Sequence, residues 1–288
     1  MKIAPPVWIL VSLIWLIAWT AEALASPSTF SIAGDDYRGL RERLTSQDKR
    51  PLTQLEQFQS AVAAWRLGDF ATAKSELSLL IEAKYALGDS YYLEGLIHLS
   101  EIDTVNIFKK TGTAKKALNA WQQAVEADPA HALSHFAIVG FFTQAPGIAG
   151  GDIDKAKQWL PKLQAASPYF YQIGLGLISA KAGEAEAAEA QLTAGALTET
   201  DQPVAMMQLA QFYFQQAAFD QALAVLSRLR DLPRAWHHPT LGQILLMQGL
   251  ATNALGDRSA AEQFFQQAAA VTQSPGLSKR IERAIEAL

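Results

Sequence analysis

The stretch KALNAWQQAVEADP, residues 116–129, decides how the chain is read. Ala117, Trp121 and Ala124 recur at three- and four-residue spacing, which places them on one face of a helix. Asp128-Pro129 then stops that helix, because proline has no N–H to donate and disfavours helical backbone in the residue before it. Outward from this segment the same arrangement returns. A small residue is followed twelve positions later by Ala and four positions after that by a large apolar residue, as in Ala61/Ala73/Leu77, Gly176/Ala188/Leu192, Ala210/Ala222/Leu226 and Gly249/Ala261/Phe265. The turns Gly68-Asp69, Gly183-Glu184, Ala217-Ala218 and Gly256-Asp257 fall between the helices so defined. Successive second-helix alanines (Ala73, Ala117, Ala156, Ala188, Ala222 and Ala261) lie 32 to 44 residues apart, the period of a helical-hairpin array.

At these residues the chain resembles the tetratricopeptide-repeat family, in which small residues let the two helices of a hairpin approach and a larger one fills the space between them. The resemblance covers roughly residues 54–275 and implies an all-α, right-handed solenoid of about six hairpins. LSKRIERAIEAL, residues 277–288, puts Leu277, Ile281, Ile285 and Leu288 on one face with charges opposite, the pattern of a C-terminal cap helix over 276–288. Residues 26–53 are polar and read as a tether or short helix.

Two repeats are longer than the rest. Gly95 to Ala117 spans ten residues more than the regular interval, expected as longer helices or a protruding loop. Val139 to Ala156 carries five more, within QAPGIAGGDIDKA. A long second repeat with a Lys-Lys turn, followed by an APGIAGGD loop, is similar to a group of exported bacterial tetratricopeptide proteins. That likeness implies a compartment and not an activity.

The amino end agrees with export. Lys2 precedes a 13-residue apolar run, Val7–Trp19, and Ala23-Leu24-Ala25 offers small residues to a signal peptidase. Residues 1–25 therefore read as a signal peptide, with an uncleaved inner-membrane anchor as the alternative; the continuous run is shorter than the roughly 20 residues a span needs. The chain has no cysteine, which excludes disulfides, thiolate metal sites and a cysteine nucleophile and suits an oxidising periplasm. With 50% hydrophobic residues it can fill a core, and a net charge of −4 gives no basic excess for nucleic acid.

Candidate chemistry is sparse. Gly88-Asp89-Ser90 and Asp128-Pro129-Ala130-His131 resemble the blocks of GDS-type esterases, but that chemistry needs its serine on a strand-to-helix turn, and both blocks lie in helical hairpins. His131 and His135 have the spacing of metal ligands without a third donor. Gly150-Gly151 read as a tight turn with positive φ, and Asp152 as the cap of the next helix; no P-loop lysine comes after it. Lys109, Lys110, Lys115 and Lys116 read as a solvated loop or as a contact for anionic lipid headgroups or an acidic protein. The expectation is no enzyme, no metal and no cofactor.

What remains is a surface. In the family that the chain resembles, the first helix of each hairpin lines a concave groove. Counting from the small anchors, the groove residues include Phe58, Trp65 and Arg66 in the first repeat, Tyr92 in the second, and Phe136 and Gln144 in the third. Gln211 and Gln215 belong to the fifth repeat and Asn253 to the sixth. The basic clamp of chaperone-binding relatives is absent, since only Arg66, Lys181 and Asn253 are available, in three separate repeats. The resulting expectation is a periplasmic adaptor that takes a protein or peptide segment in this groove. Its alternative is an accessory of an envelope transporter that holds a small hydrophobic ligand.

Overall fold

A computed structural model describes residues 30–46, 50–102, 104–197 and 202–288. Residues 1–25, read above as a signal peptide, lie outside the described residues. Helix α1 (Tyr37–Ser46) precedes six hairpins: α2 (Gln54–Arg66) with α3 (Phe70–Glu82), α4 (Leu87–Glu101) with α5 (Ile107–Ala127), and α6 (Ala132–Gln144) with α7 (Ile153–Ala166). The array continues with α8 (Pro168–Ala182) and α9 (Ala185–Ala196), α10 (Gln202–Gln215) and α11 (Phe219–Arg230), then α12 (Leu241–Ala254) and α13 (Arg258–Val271). Helix α14 (Pro275–Glu286) caps the last hairpin, burying Leu277 and Ile281. Among the described residues the only β pairing is an isolated antiparallel bridge between Ser31 and Ala235.

Local chemistry sets the helix ends. Thr53 with Glu56 and Thr240 with Gln243 form reciprocal capping boxes at α2 and α12. Asp69, Asn106, Asp152, Ser167, Asp257 and Ser274 each accept a backbone N–H from the first turn of the helix they open. Three hairpins turn through a left-handed glycine, Gly68, Gly183 or Gly256. The fifth turns through Ala217 at φ 56°, a conformation that crowds its Cβ.

The period seen in the sequence is the core. The second-helix residues Ala73, Ala117, Ala156, Ala188, Ala222 and Ala261 are all fully buried. Where the first helix carries a glycine anchor, it leaves room for the large residue facing it. A Cβ on Gly95 would overlap the Trp121 indole, and one on Gly249 would overlap the Phe265 ring. Overpacking of this kind costs about 1–3 kcal/mol, so glycine here serves close helix approach.

The two insertions take definite forms. The lysines expected in a loop lie on α5, which runs 21 residues against 13 for α3 because Asn106 caps it early. The Gly-rich stretch forms a 3₁₀ turn, Gly147–Ala149, packed on α5. Of Gly150 and Gly151, Gly150 alone has positive φ; Gly151 is instead small because a Cβ there would strike the Ala145 carbonyl. Asp152 accepts hydrogen bonds from the Asp154 and Lys155 amides at the start of α7.

Candidate functional site

The first helices of repeats one and two present Phe58, Trp65, Arg66 and Tyr92, and the chain itself covers most of this face. Trp236, in the loop between α11 and α12, packs edge-on against Phe58 at 5.3 Å and Tyr92 at 6.0 Å between ring centroids. Its other face stacks on Phe30 at 6.3 Å, and the Trp236 amide donates to the Phe30 carbonyl at 3.2 Å. Arg66 Nη2 donates to the carbonyls of Trp236 and His238 at 2.6 and 2.9 Å. The Arg66 guanidinium lies 4.1 Å from the Trp65 ring centre and 5.7 Å from that of Tyr37. Burial pushes the Tyr37 phenol up, and the neighbouring Asp35 adds to that, while Arg66 opposes it.

A second set of bonds completes the seam. Asp35 Oδ2 accepts the Leu241 amide at 2.7 Å and lies 3.8 Å from Arg234 Nε. Gln273 accepts the Arg38 amide at 2.8 Å and donates to Asp36 at 3.2 Å. The Gly39 amide, and after it Gln273, hold the carboxyl of Asp36 below the usual range. Pro275, the first residue of the cap helix, sits against Gly68. The start of the array is therefore joined to its end, and a cavity of about 270 Å³ remains at the junction, lined by Trp65, Arg66, Gln243, Thr272 and Arg280.

The expected groove residues thus divide. Phe58 and Tyr92 are buried under Trp236 and face no solvent-filled groove, a correction with a plain physical reason: an aromatic side chain of the same chain occupies the place an outside peptide would take. Trp65 donates from Nε1 to Ser100 Oγ at 2.9 Å, and Arg66 is bound to backbone carbonyls. Repeats three and five keep more open positions. Phe136 is half-buried and stacks on Phe170 at 5.0 Å, Gln144 and Gln215 are exposed, and Gln211 is half-buried. Asn253 is half-buried in the sixth repeat. Sequence reasoning missed Phe30, Asp35, Trp236 and Gln273; Arg234-Ala235-Trp236-His237-His238 reads as an ordinary interhelix loop, and its one signal is a tryptophan there with no helical period to absorb it.

The esterase-like blocks do meet. His131 Nε2 lies 3.4 Å from Asp89 Oδ1 and its Nδ1 lies 2.8 Å from Ser134 Oγ. Both serines are fully buried, however; Ser90 Oγ donates to the Tyr85 carbonyl, and His131 Nδ1 also accepts the Ser134 amide as the α6 cap. No substrate reaches either hydroxyl, so the cluster couples two hairpins. Gly88 is small because a side chain there would strike His131. His135 accepts from Trp159 Nε1 at 2.9 Å through Nδ1, which leaves Nε2 to donate to the Pro129 carbonyl at 2.9 Å. Among the described residues, no group of three or more His, Asp or Glu side chains could hold a metal ion.

No protein-family model matches the sequence, and no curated protein matches it significantly. Solved structures do. One is a tetratricopeptide repeat protein from Parabacteroides merdae, 14% identical, with a TM-score of 0.53 over 87% of this chain and 91% of that one. Another is a thermophilic tetratricopeptide protein of Thermus thermophilus, 19% identical, with a TM-score of 0.51 over 70% and 99%. The fold is that of tetratricopeptide-repeat proteins. Trp236 lies over α2 and α4, the first helices of the first two hairpins.

Proposed function

We propose that the chain is a non-enzymatic scaffold of the bacterial cell envelope, exported by its leader, that holds a protein or peptide segment against the first helices of repeats three to five. The observation that carries this reading is the division of the groove: Phe58 and Tyr92 are covered by Trp236, while Phe136, Gln144, Gln211 and Gln215 still face outward or stand half-exposed. An aromatic ledge flanked by amides suits an extended or helical segment, with apolar anchoring from the ring and hydrogen bonds from the glutamines. The test is a crosslinking pull-down from the native envelope with the chain from Ser26, beside Phe136→Ala and Gln144→Arg/Gln215→Arg variants checked for folding by circular dichroism. One envelope protein recovered by the parent and lost by both variants is the expected result. Nothing specific recovered by folded bait, or equal recovery by all three, rejects the reading.

A second reading has the seam cavity in its favour. Its volume, about 270 Å³, sits at the lower edge of small-molecule sites, and Arg66, Arg280 and Gln243 in its lining suit a polar guest better than a hydrophobic one. Thermal-shift measurements against small polar and hydrophobic metabolites distinguish this reading, since a scaffold shows no shift with either.

A further inference from the structure

The extra residues of the second repeat lengthen α5, and the added turns carry a face that packs on nothing. At 100° per residue, Phe108, Gly112, Lys115 and Asn119 fall in one line along the helix, with Lys109 and Lys116 beside it. Ala114, Ala117, Trp121 and Ala124 lie opposite and are buried. The outer face is open in fact as well as by geometry: Phe108 is 92% exposed, Lys109, Lys115 and Lys116 are exposed, and a Cβ on Gly112 would meet nothing. Phe108 is the most exposed large apolar side chain among the described residues; next is Ile148 at 81%, in the 3₁₀ turn that packs on this same helix.

Charge is distributed as unevenly as apolar surface. From Thr104 to Val125 the sequence contains four lysines and no acid, in a chain whose net charge is −4. None of the four lysines makes an ion pair among the described residues, whereas Lys74 is paired with Glu101 and Lys155 with Asp152. Folding accounts for the inner face of α5 and leaves the outer one without a partner.

We propose that this outer face of α5 docks on a membrane surface of anionic phospholipid headgroups, with Phe108 entering the headgroup layer and Lys109, Lys115 and Lys116 over the phosphates. The chemistry selects that occupant over a shaped protein partner. Lysines are compact point charges on flexible stems that suit a fluid array of phosphates, whereas no arginine fork is present for bidentate pairing with a carboxylate. A lone projecting phenyl ring beside cations matches the pattern of interfacial helices, which set apolar side chains below a basic rim. The docking is separate from partner binding by repeats three to five and holds whether or not an envelope partner is found.

The test is sedimentation of the chain from Ser26, which retains every described residue and lacks the apolar run that would itself enter bilayers. It is mixed with vesicles of phosphatidylcholine alone and with vesicles containing phosphatidylglycerol. Binding is expected to the anionic vesicles alone and to weaken as salt rises, with a loss of about fivefold for each lysine neutralised. Lys109→Gln/Lys115→Gln/Lys116→Gln should abolish it, and Phe108→Ser should weaken it with the charge intact; all four side chains are exposed, so the variants keep the fold. Because the chain has no cysteine, Gly112→Cys accepts a single environment-sensitive fluorophore, whose emission should shift to the blue on anionic vesicles only. No sedimentation, equal sedimentation with neutral vesicles, or binding unchanged in both variants overturns the proposal, the last two even if the protein pellets.

Discussion

His135 shows how one buried side chain can make an array sensitive to acid. Its Nδ1 is committed as an acceptor to Trp159 and its Nε2 as a donor to the Pro129 carbonyl, which requires the neutral ring. Burial, with lesser contributions from Lys162 and His131, holds its pKa below the ordinary value of 6.5. The folded state therefore binds the proton less readily than the unfolded chain. The stability it contributes is complete above pH 6.5 and is lost as the pH falls through the lower folded value. Urea unfolding at about pH 7.5 and about pH 5 should show a steeper loss for the parent than for His135→Gln, and equal losses would refute the assignment. The same residue shows the limit of spacing arguments: His131 and His135 sit four apart as metal ligands do, yet each is occupied by a separate helix-packing bond.

At the scale of the helical elements the repeat is legible because packing imposes it position by position. Wherever the first helix carries Gly or Ala, the second carries a residue large enough to fill the space, and that pairing is visible in the letters themselves. The turns are legible too, including the weak one. Ala217 occupies the place where its counterparts have glycine, and its positive φ brings its Cβ too near the following backbone. Ala217→Gly should raise stability by up to about 1 kcal/mol, strain relief being partly offset by the freedom glycine gains in the unfolded chain. Chemical denaturation reads this directly, and a destabilised variant would show that the turn carries no strain. The lysine segment is harder to read because ten added residues with glycine and threonine look like a loop; Asn106 as cap and the buried spacing Ala114, Ala117, Trp121 make it helix.

For the whole molecule, the decisive contacts are those that no local pattern announces. Arg66 binds a carbonyl 170 residues away and Asp35 an amide 206 away. The groove positions of repeats one and two can be counted along the first helices from the letters alone, whereas the side chain that covers them is visible only in the three-dimensional arrangement. Trp236→Ala removes a side chain that is 1% exposed and held among Phe30, Phe58 and Tyr92. A loss of about 3–5 kcal/mol is expected, together with a larger radius in solution scattering as the seam loosens. An unchanged radius with a loss under about 1 kcal/mol would show that the array holds its closure without this residue.

The seam also orders events in time. A chain is made from its amino end, so Phe30, Phe58 and Tyr92 emerge early, while Trp236 and Gln273 are among the later residues to appear. Wherever the chain folds, the aromatic face of the first repeat stays uncovered until Trp236, 178 positions after Phe58, reaches it. Ordinary solenoids consolidate each repeat on the one before and need little from later ones. This one incurs at its beginning a debt of exposed surface that only its end discharges.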